Sequence, residues 1–333
     1  FIPLILLFLL VKSEKDYCWY AALTVISSGG SAVMNLWHSR KFVDWRNRGS
    51  KLEFRKHLKP IFLIFGTSLA SSIYMTMDTT MLGALKGDSA VGVYTAAVKI
   101  NSVVSTLIGT VSSTILPRVA YYIGNGLQEQ YKKLMKTSMD ILLMISMPAA
   151  IGMICTSDIL ILLFSGKEFL VGSLAAKILS AKVVVSAINR VLAYQVCTPY
   201  KMDKEVLIST ASGAIFNLFA NAILIPIAGV TGASVATLLS EIIVFCVLSK
   251  YAKEVLDTRK LYDRIWIYGA ISILFVFVRM IMNRLLESSV LCLGGTMSVC
   301  VVLYAMILLI IGDKYIREYL KKFGTIIKKI IRK

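Results

Sequence analysis

The sequence predicts an all-α polytopic membrane protein, a bundle of transmembrane helices, and three observations predict it. Hydrophobic residues make up 57% of the 333 residues, above the roughly 45–50% of a soluble domain, and mean hydropathy is +0.73. Segments of about 20 mostly apolar residues, enough for a helix to cross a hydrocarbon core, recur down nearly the whole chain. The charges alternate between the loops that join them: 37–59, 118–136, 196–205, 250–264 and 312–333 together hold 27 Lys and Arg, whereas 12–16, 85–88, 158–168, 227–228 and 283–288 hold five. By the positive-inside rule the first set is cytoplasmic. The net charge of +18 is thus mainly a topology signal, with attraction to anionic membrane lipids secondary.

Taken in order, residues 1–11 look like the tail of one span and 17–36 like a second. The chain opens at Phe1 inside an apolar run, without initiator Met or signal pattern, so 1–36 reads as the remnant of an N-terminal lobe. The basic segment 37–59 follows as an inter-lobe loop. Its second half, with Leu52, Phe54 and Leu58 among cations, suits either an amphipathic helix on the inner membrane surface or a solvated linker. Six spans are expected next within 60–249, at 60–84, 89–117, 137–157, 169–195, 206–226 and 229–249. The last two form the clearest hairpin, joined by Pro226 and Gly229 and followed by small residues at helical spacing through Gly232, Ala233, Ala236 and Thr237. A charged cytoplasmic linker, 250–264, leads to two further spans within 265–311 and a basic cytoplasmic tail, 312–333, whose Ile326, Ile327, Ile330 and Ile331 suit an interfacial helix.

Several chemistries find no support. The six cysteines fall in or at the ends of apolar segments without metal-knuckle spacing and read as buried small side chains, while His38 and His57 lie in the basic loop as solvated members of a charged face. No metal or cofactor is expected. The basic loops lack the interleaved aromatics of a nucleic-acid site, so no nucleic acid is expected as partner. There is no phosphate-cradling GxxxxGK[ST], no HExxH and no carboxylate pair in an outer loop, which disfavours an enzyme.

Function is sought in the polar residues within spans, because a charge at mid-bilayer costs about 2.5–3.5 kcal/mol or more and so faces a wet cavity or a partner. Lys99 lies about 15 Å from the outer end of its span, near the midplane, and Ser102, Thr106 and Ser113 continue its helical face. In 169–195, Lys182, Ser186 and Asn189 share one face, whereas Lys177 points about 140° away from Lys182; which of the two lysines faces a cavity stays open. Arg190, deeper along the same helix, suits snorkelling to the inner interface. A cluster of cations in a membrane cavity favours an anionic cargo such as a phosphate or diphosphate. Asp78 and Glu241 suit either a coupling proton or cation, or an internal salt bridge, with Lys99 a candidate partner for Asp78. Asp140 and Asp158 lie near span ends and are expected to be wet.

The run Asp78-Thr-Thr-Met-Leu-Gly83 with Val91-Gly-Val-Tyr94-Thr-Ala-Ala97-Val-Lys99 resembles the start of the second lobe of polysaccharide and O-antigen flippases in the MOP (multidrug/oligosaccharidyl-lipid/polysaccharide) exporter superfamily. Leu116-Pro-Arg118, Leu163-Phe-Ser-Gly166 with Glu168-Phe169, and the Asn217 to Glu241 hairpin are similar to that family in the same order. The resemblance implies a MATE/MOP-like bundle of two six-helix lobes around a cavity open alternately to either side, with 60–249 as the second lobe and 265–311 as two extra C-terminal helices. It implies a flippase in a bacterial inner membrane that carries an undecaprenyl-diphosphate-linked oligosaccharide, an O-antigen or capsular repeat unit, to the outer leaflet, with polysaccharide polymerase and glycan-assembly proteins as partners. Substrate-binding positions would be Lys99, Lys182, Lys177, Asn189, Ser102 and Thr106. Alternatives are a lipid II flippase, a multidrug exporter, for which acids and aromatics at mid-membrane would be expected, or a membrane enzyme or scaffold of glycan assembly.

Overall fold

The structure, a computed structural model, describes residues 2–12, 16–41, 54–286 and 288–317. Its helices are α1 (Ile2–Leu10), α2 (Tyr17–Ser39), α3 (Phe54–Lys86), α4 (Asp88–Gly124), α5 (Gln128–Phe164), α6 (Ser173–Arg190), α7 (Asp203–Ala252), α8 (Ile265–Leu285) and α9 (Ser289–Ile311). No strand occurs among the described residues. The chain divides into two compact units, 1–58 and 59–333. In the first, α1 and α2 pack against one another.

In the second unit α5 is the central post. It packs against α4 and α6 on one side and against α8 and α9 on the other, while α6 lies between α5 and α7. The larger core gathers around Tyr131, Met135, Met139, Leu142 and Leu143 of α5 with Val191, Leu192 and Val196, and continues to Tyr268, Phe275, Tyr304 and Leu308 of α8 and α9. A second core, toward the outer ends, joins Leu82, Tyr94, Ala97, Ala175, Ala176, Ile225 and Ala233.

Six helical stretches among the described residues are long and apolar enough to cross a membrane: α4, α5, 167–200, α7, α8 and α9. The expected spans 17–36 and 60–84 are helical, as α2 and α3. Helix α3 begins at Phe54, so half of the proposed surface helix is continuous with the span. Residues 42–53 of the basic loop and the isoleucine-rich stretch of the tail lie outside the described residues.

Two breaks shape the bundle. Helix α7 is a hairpin: Gly229 adopts φ 53° and ψ −128°, a conformation L side chains rarely tolerate, so the chain reverses there after Pro226. Gly232 lies so close to the Leu224 carbonyl, and Gly213 to Val244, that no Cβ fits at either; small residues let the two arms of α7 approach. The second break is a π-helical stretch, 191–197, that continues α6. It turns the Gln195 side chain into the core, where its Nε2 donates to Ser112 Oγ (2.8 Å) and its Oε1 accepts from Ser138 (2.6 Å), while Tyr131 donates to its carbonyl (3.2 Å). α4, α5 and α6 are thereby tied together through fully satisfied buried polar groups.

Asp140 corrects an expectation. It is fully buried rather than wet, facing Lys136 at 3.2 Å and Arg264 at 3.8 Å and accepting from Tyr315 Oη at 2.9 Å. The reason is tertiary: the start of α8 and the turn after α9 close over the inner part of α5. Arg264 also pairs with Asp313, whose other oxygen accepts from the Tyr315 backbone N–H at 2.9 Å. Burial pushes the Tyr315 phenol well above its ordinary range. The cysteines differ too: Cys18 and Cys246 are exposed, because in lipid the outward face of a span is as suitable for an apolar side chain as the core.

Candidate functional site

The Asp78 carboxylate is the centre of a buried polar cluster. It sits eight residues before the outer end of α3, about 12 Å down at 1.5 Å per residue, and is 4% exposed. Three neutral groups donate to it: Tyr94 Oη of α4 at 2.5 Å, Thr237 Oγ1 of the second arm of α7 at 2.6 Å and Asn221 Nδ2 of the first arm at 2.7 Å. Asn221 also donates to Asn217 Oδ1 at 3.0 Å, one turn away. The hairpin makes this possible, since folding α7 at Pro226 and Gly229 sets Asn221 and Thr237, each eight residues from Gly229, at one depth. At its outer end Lys86 Nζ donates to the Pro226 carbonyl at 2.9 Å, fastening α3 to the turn.

No cation lies within salt-bridge distance of Asp78 among the described residues. A buried carboxylate held only by neutral donors keeps most of its charge uncompensated, and two side-chain atoms beside it, Asn217 Nδ2 and Asn221 Oδ1, make no hydrogen bond. The Asp78 carboxylate and the Thr237 and Tyr94 hydroxyls stand together, and oxygens of this kind suit a proton or a hard cation. The suggested pairing with Lys99 does not occur: Tyr94 and Lys99 are five residues apart on α4, about 140° round the helix, so that one faces Asp78 and the other is exposed.

Lys99, Ser102, Thr106, Thr110 and Ser113 form an exposed polar stripe along α4. Their hydroxyls fold back on their own helix, Ser102 to the Lys99 carbonyl at 2.7 Å and Thr106 to that of Ser102 at 2.8 Å, which makes a polar surface without costly unsatisfied groups. Farther along, the Arg190 guanidinium lies over Gly109 of the same helix, 3.6 Å from where a Cβ would stand.

On α6 the two lysines separate. Lys182 is 4.0 Å from Glu241 of α7, and Asn189 Nδ2 donates to the same carboxylate at 2.7 Å and to the Glu241 carbonyl at 3.0 Å. Ser186 lies between them with a buried hydroxyl that has no partner. Lys177 instead meets Asp158 of α5 at 3.2 Å near the outer helix ends. Lys182, Asn189 and Glu241 are therefore together, Lys99, Ser102 and Thr106 share the α4 stripe, and Lys177 stands apart. The sequence reading missed Tyr94, Asn221 and Thr237 as partners of Asp78, and Asn217 as the partner of Asn221. The signal available was Asn217 and Asn221 at i, i+4 in an otherwise apolar run.

Comparison with known proteins follows this geometry. Residues 19–174 match the family described as polysaccharide biosynthesis protein. A probable low-salt glycan biosynthesis flippase, Agl15, of Haloferax volcanii is 24% identical over 265 residues, which cover 78% of this chain and 54% of that protein. The structure of the lipid II flippase MurJ in an inward closed conformation superposes with a TM-score of 0.64 at 16% identity, over 82% of this chain and 57% of that one. An outward-facing MATE multidrug transporter of the MOP superfamily gives a TM-score of 0.48 at 18% identity, over 67% and 52%. The chain spans about half the length of these relatives. This multi-pass membrane protein thus has the fold of the MurJ structure, and just under half of its length is similar to polysaccharide biosynthesis proteins.

Proposed function

We propose that this chain serves a flippase that moves a lipid-linked oligosaccharide across a membrane, with 60–249 as its second six-helix lobe and 265–311 as the extra helix pair. The observation that carries the reading is the exposed polar stripe of α4, with Lys99 at mid-membrane depth and the Arg190 guanidinium resting on the same helix. A diphosphate crossing the bilayer must shed water, which costs several kcal/mol or more unless cations and hydroxyls replace the hydration. Lys99 and Arg190, with Ser102 and Thr106, would supply that replacement. Lys182, steadied by Glu241 and Asn189, would add a further cation, while the lipid tail stays in hydrocarbon beside the bundle. Lys177 falls outside this set.

The cargo on this reading is an undecaprenyl-diphosphate-linked repeat unit carried to the outer leaflet of a bacterial cell membrane by alternating access. Transport rather than bond-making chemistry is the activity. The cluster around Asp78 would take up the coupling proton or cation: occupation neutralises the buried carboxylate and draws α3, α4 and both arms of α7 together, which is how an ion could bias one state over another. Glu241 acts on this account as the partner of Lys182.

The test is complementation. The full-length gene is expressed in a bacterium lacking its own O-unit flippase, with the matching glycan pathway present and expression of the variants matched. Restoration of surface polysaccharide by the parent, and stranded lipid-linked units with Lys99→Ala or Lys182→Ala, is the expected outcome. Failure of the parent with a matched glycan would refute the reading.

A further inference from the structure

Arg279 of α8 has no part in the reading above, yet it is an arginine within a span. It lies six residues from the outer end of α8, about 9 Å down. Its Nε donates to the Cys155 carbonyl of α5 at 3.1 Å, and its Nη1 contacts Asn283 Oδ1 at 3.3 Å and Cys292 Sγ of α9 at 2.8 Å. All three are neutral acceptors, and Nη2 has no hydrogen-bond partner among the described residues. The guanidinium therefore retains both its charge and an unused donor edge.

Lys177 completes the cluster from α6. It is four residues into its helix, about 6 Å down, and Asp158 on α5 is six residues from the outer helix end, about 9 Å down. Lys177 and Asp158 are 3.2 Å apart, and Ser173 also donates to Asp158. Asp158 stands three residues, about one turn, beyond Cys155 on α5, so the acid that holds Lys177 lies beside the carbonyl that holds Arg279. Two cations thus surround one acid, leaving a surplus positive charge. The side chains of Lys177 and Asp158 remain 35% and 51% accessible, so the cluster opens to its surroundings. Its depth is that of the outer lipid interface, within snorkelling reach of phosphate groups.

We propose that Arg279 and Lys177 form an outer-leaflet site for a phosphate group, that of an anionic lipid headgroup. Arg279 offers the planar edge that binds phosphate oxygens in pairs, and Lys177 a point charge beside it. Asp158 keeps Lys177 in place. The site needs α8 and α9, because Arg279 reaches α5 only through their packing, and this gives the extra helix pair a role apart from cargo transport. It goes beyond the flippase reading and does not rest on which glycan, if any, is carried.

The experiment uses the purified full-length protein in mixed micelles of phosphatidylglycerol and phosphatidylcholine, with retained lipid counted by native mass spectrometry. The parent should retain phosphatidylglycerol in preference to phosphatidylcholine. Arg279→Gln and Lys177→Gln should each weaken that retention about tenfold, the size expected for one charge-assisted hydrogen bond, and Lys253→Gln on the cytoplasmic side should not. Lys177→Gln guards against a folding defect in the Arg279 variant, since Lys177 is partly exposed and its helix packs through other residues. Equal retention in parent and both variants overturns the site. Equal retention of phosphatidylglycerol and phosphatidylcholine by the parent overturns the anionic headgroup as its occupant.

Discussion

Asp78 and Asn221, 143 residues apart in sequence, meet through a 2.7 Å hydrogen bond from the asparagine amide to the carboxylate. That bond joins α3 to the first arm of α7, and Thr237 joins the second arm to the same acid. The acid is buried with neutral donors, and on the proposed reading a proton or cation shares the site for part of the transport cycle. Asp78→Asn should therefore fold, keep Tyr94 and Thr237 as donors to the new amide oxygen, and lose the dependence of transport on an imposed ion gradient. Transport in vesicles under sodium and pH gradients, parent against variant, checks this; an unchanged gradient dependence would remove Asp78 from coupling.

Lys182 and Lys177 should separate functionally. Lys182→Ala removes a cation from the Glu241 cluster and should lower transport about tenfold or more, in line with loss of one charged contact. Lys177→Ala should leave cargo transport near the parent rate, because its partner is Asp158 at the outer end of the bundle. Surface polysaccharide in the complemented strain, quantified at matched expression, distinguishes the two.

The α7 hairpin depends on small residues. Gly232→Val would drive a side chain into the Leu224 carbonyl, and overpacking of this kind costs about 1–3 kcal/mol or more. A lower melting temperature in detergent and a weaker response to the coupling ion are expected together, since Thr237 moves with Gly232. Gly124→Ala, where nothing lies within 4 Å of the added methyl, should be close to neutral in the same melt.

Gln195 should prove structural. Gln195→Leu leaves Ser112 and Ser138 without their side-chain partner in a fully buried setting, at about 1–3 kcal/mol for each unsatisfied group. The melting temperature should fall, while the apparent affinity for cargo among the molecules that remain folded should not change. A changed affinity would place the π-helical stretch in the transport cycle instead.

The order of spans was legible because apolar length and alternating loop charge are local properties of the chain. The turn at Pro226 and Gly229 was legible for the same reason, since proline and a glycine with positive φ announce a reversal. The face shared by Lys182 and Asn189 followed from helical spacing, and the structure gives both of them Glu241. What the sequence could not carry was adjacency between helices. Asp78 was visible as an acid in a span, but its donors come from positions 94, 221 and 237, which only the folded hairpin brings to one depth. Asp140 looked wet because it stands near a span end; Arg264, Asp313 and Tyr315 from distant segments bury it. Arg279 went unassigned because its partners, Cys155 and Cys292, are side chains and carbonyls with no charge pattern to betray them.

The central claim is that cargo with an anionic lipid-linked head group crosses the membrane along the cationic stripe. Reconstitution of the full-length protein into proteoliposomes with a tagged polyprenyl-diphosphate oligosaccharide tests it most directly. The fraction of tag accessible to a membrane-impermeant reagent is followed with time. Protein-dependent transfer between leaflets, slowed about tenfold or more by Lys99→Ala, is the predicted result. Transfer by the parent no faster than in protein-free vesicles, or transfer indifferent to Lys99, would contradict it.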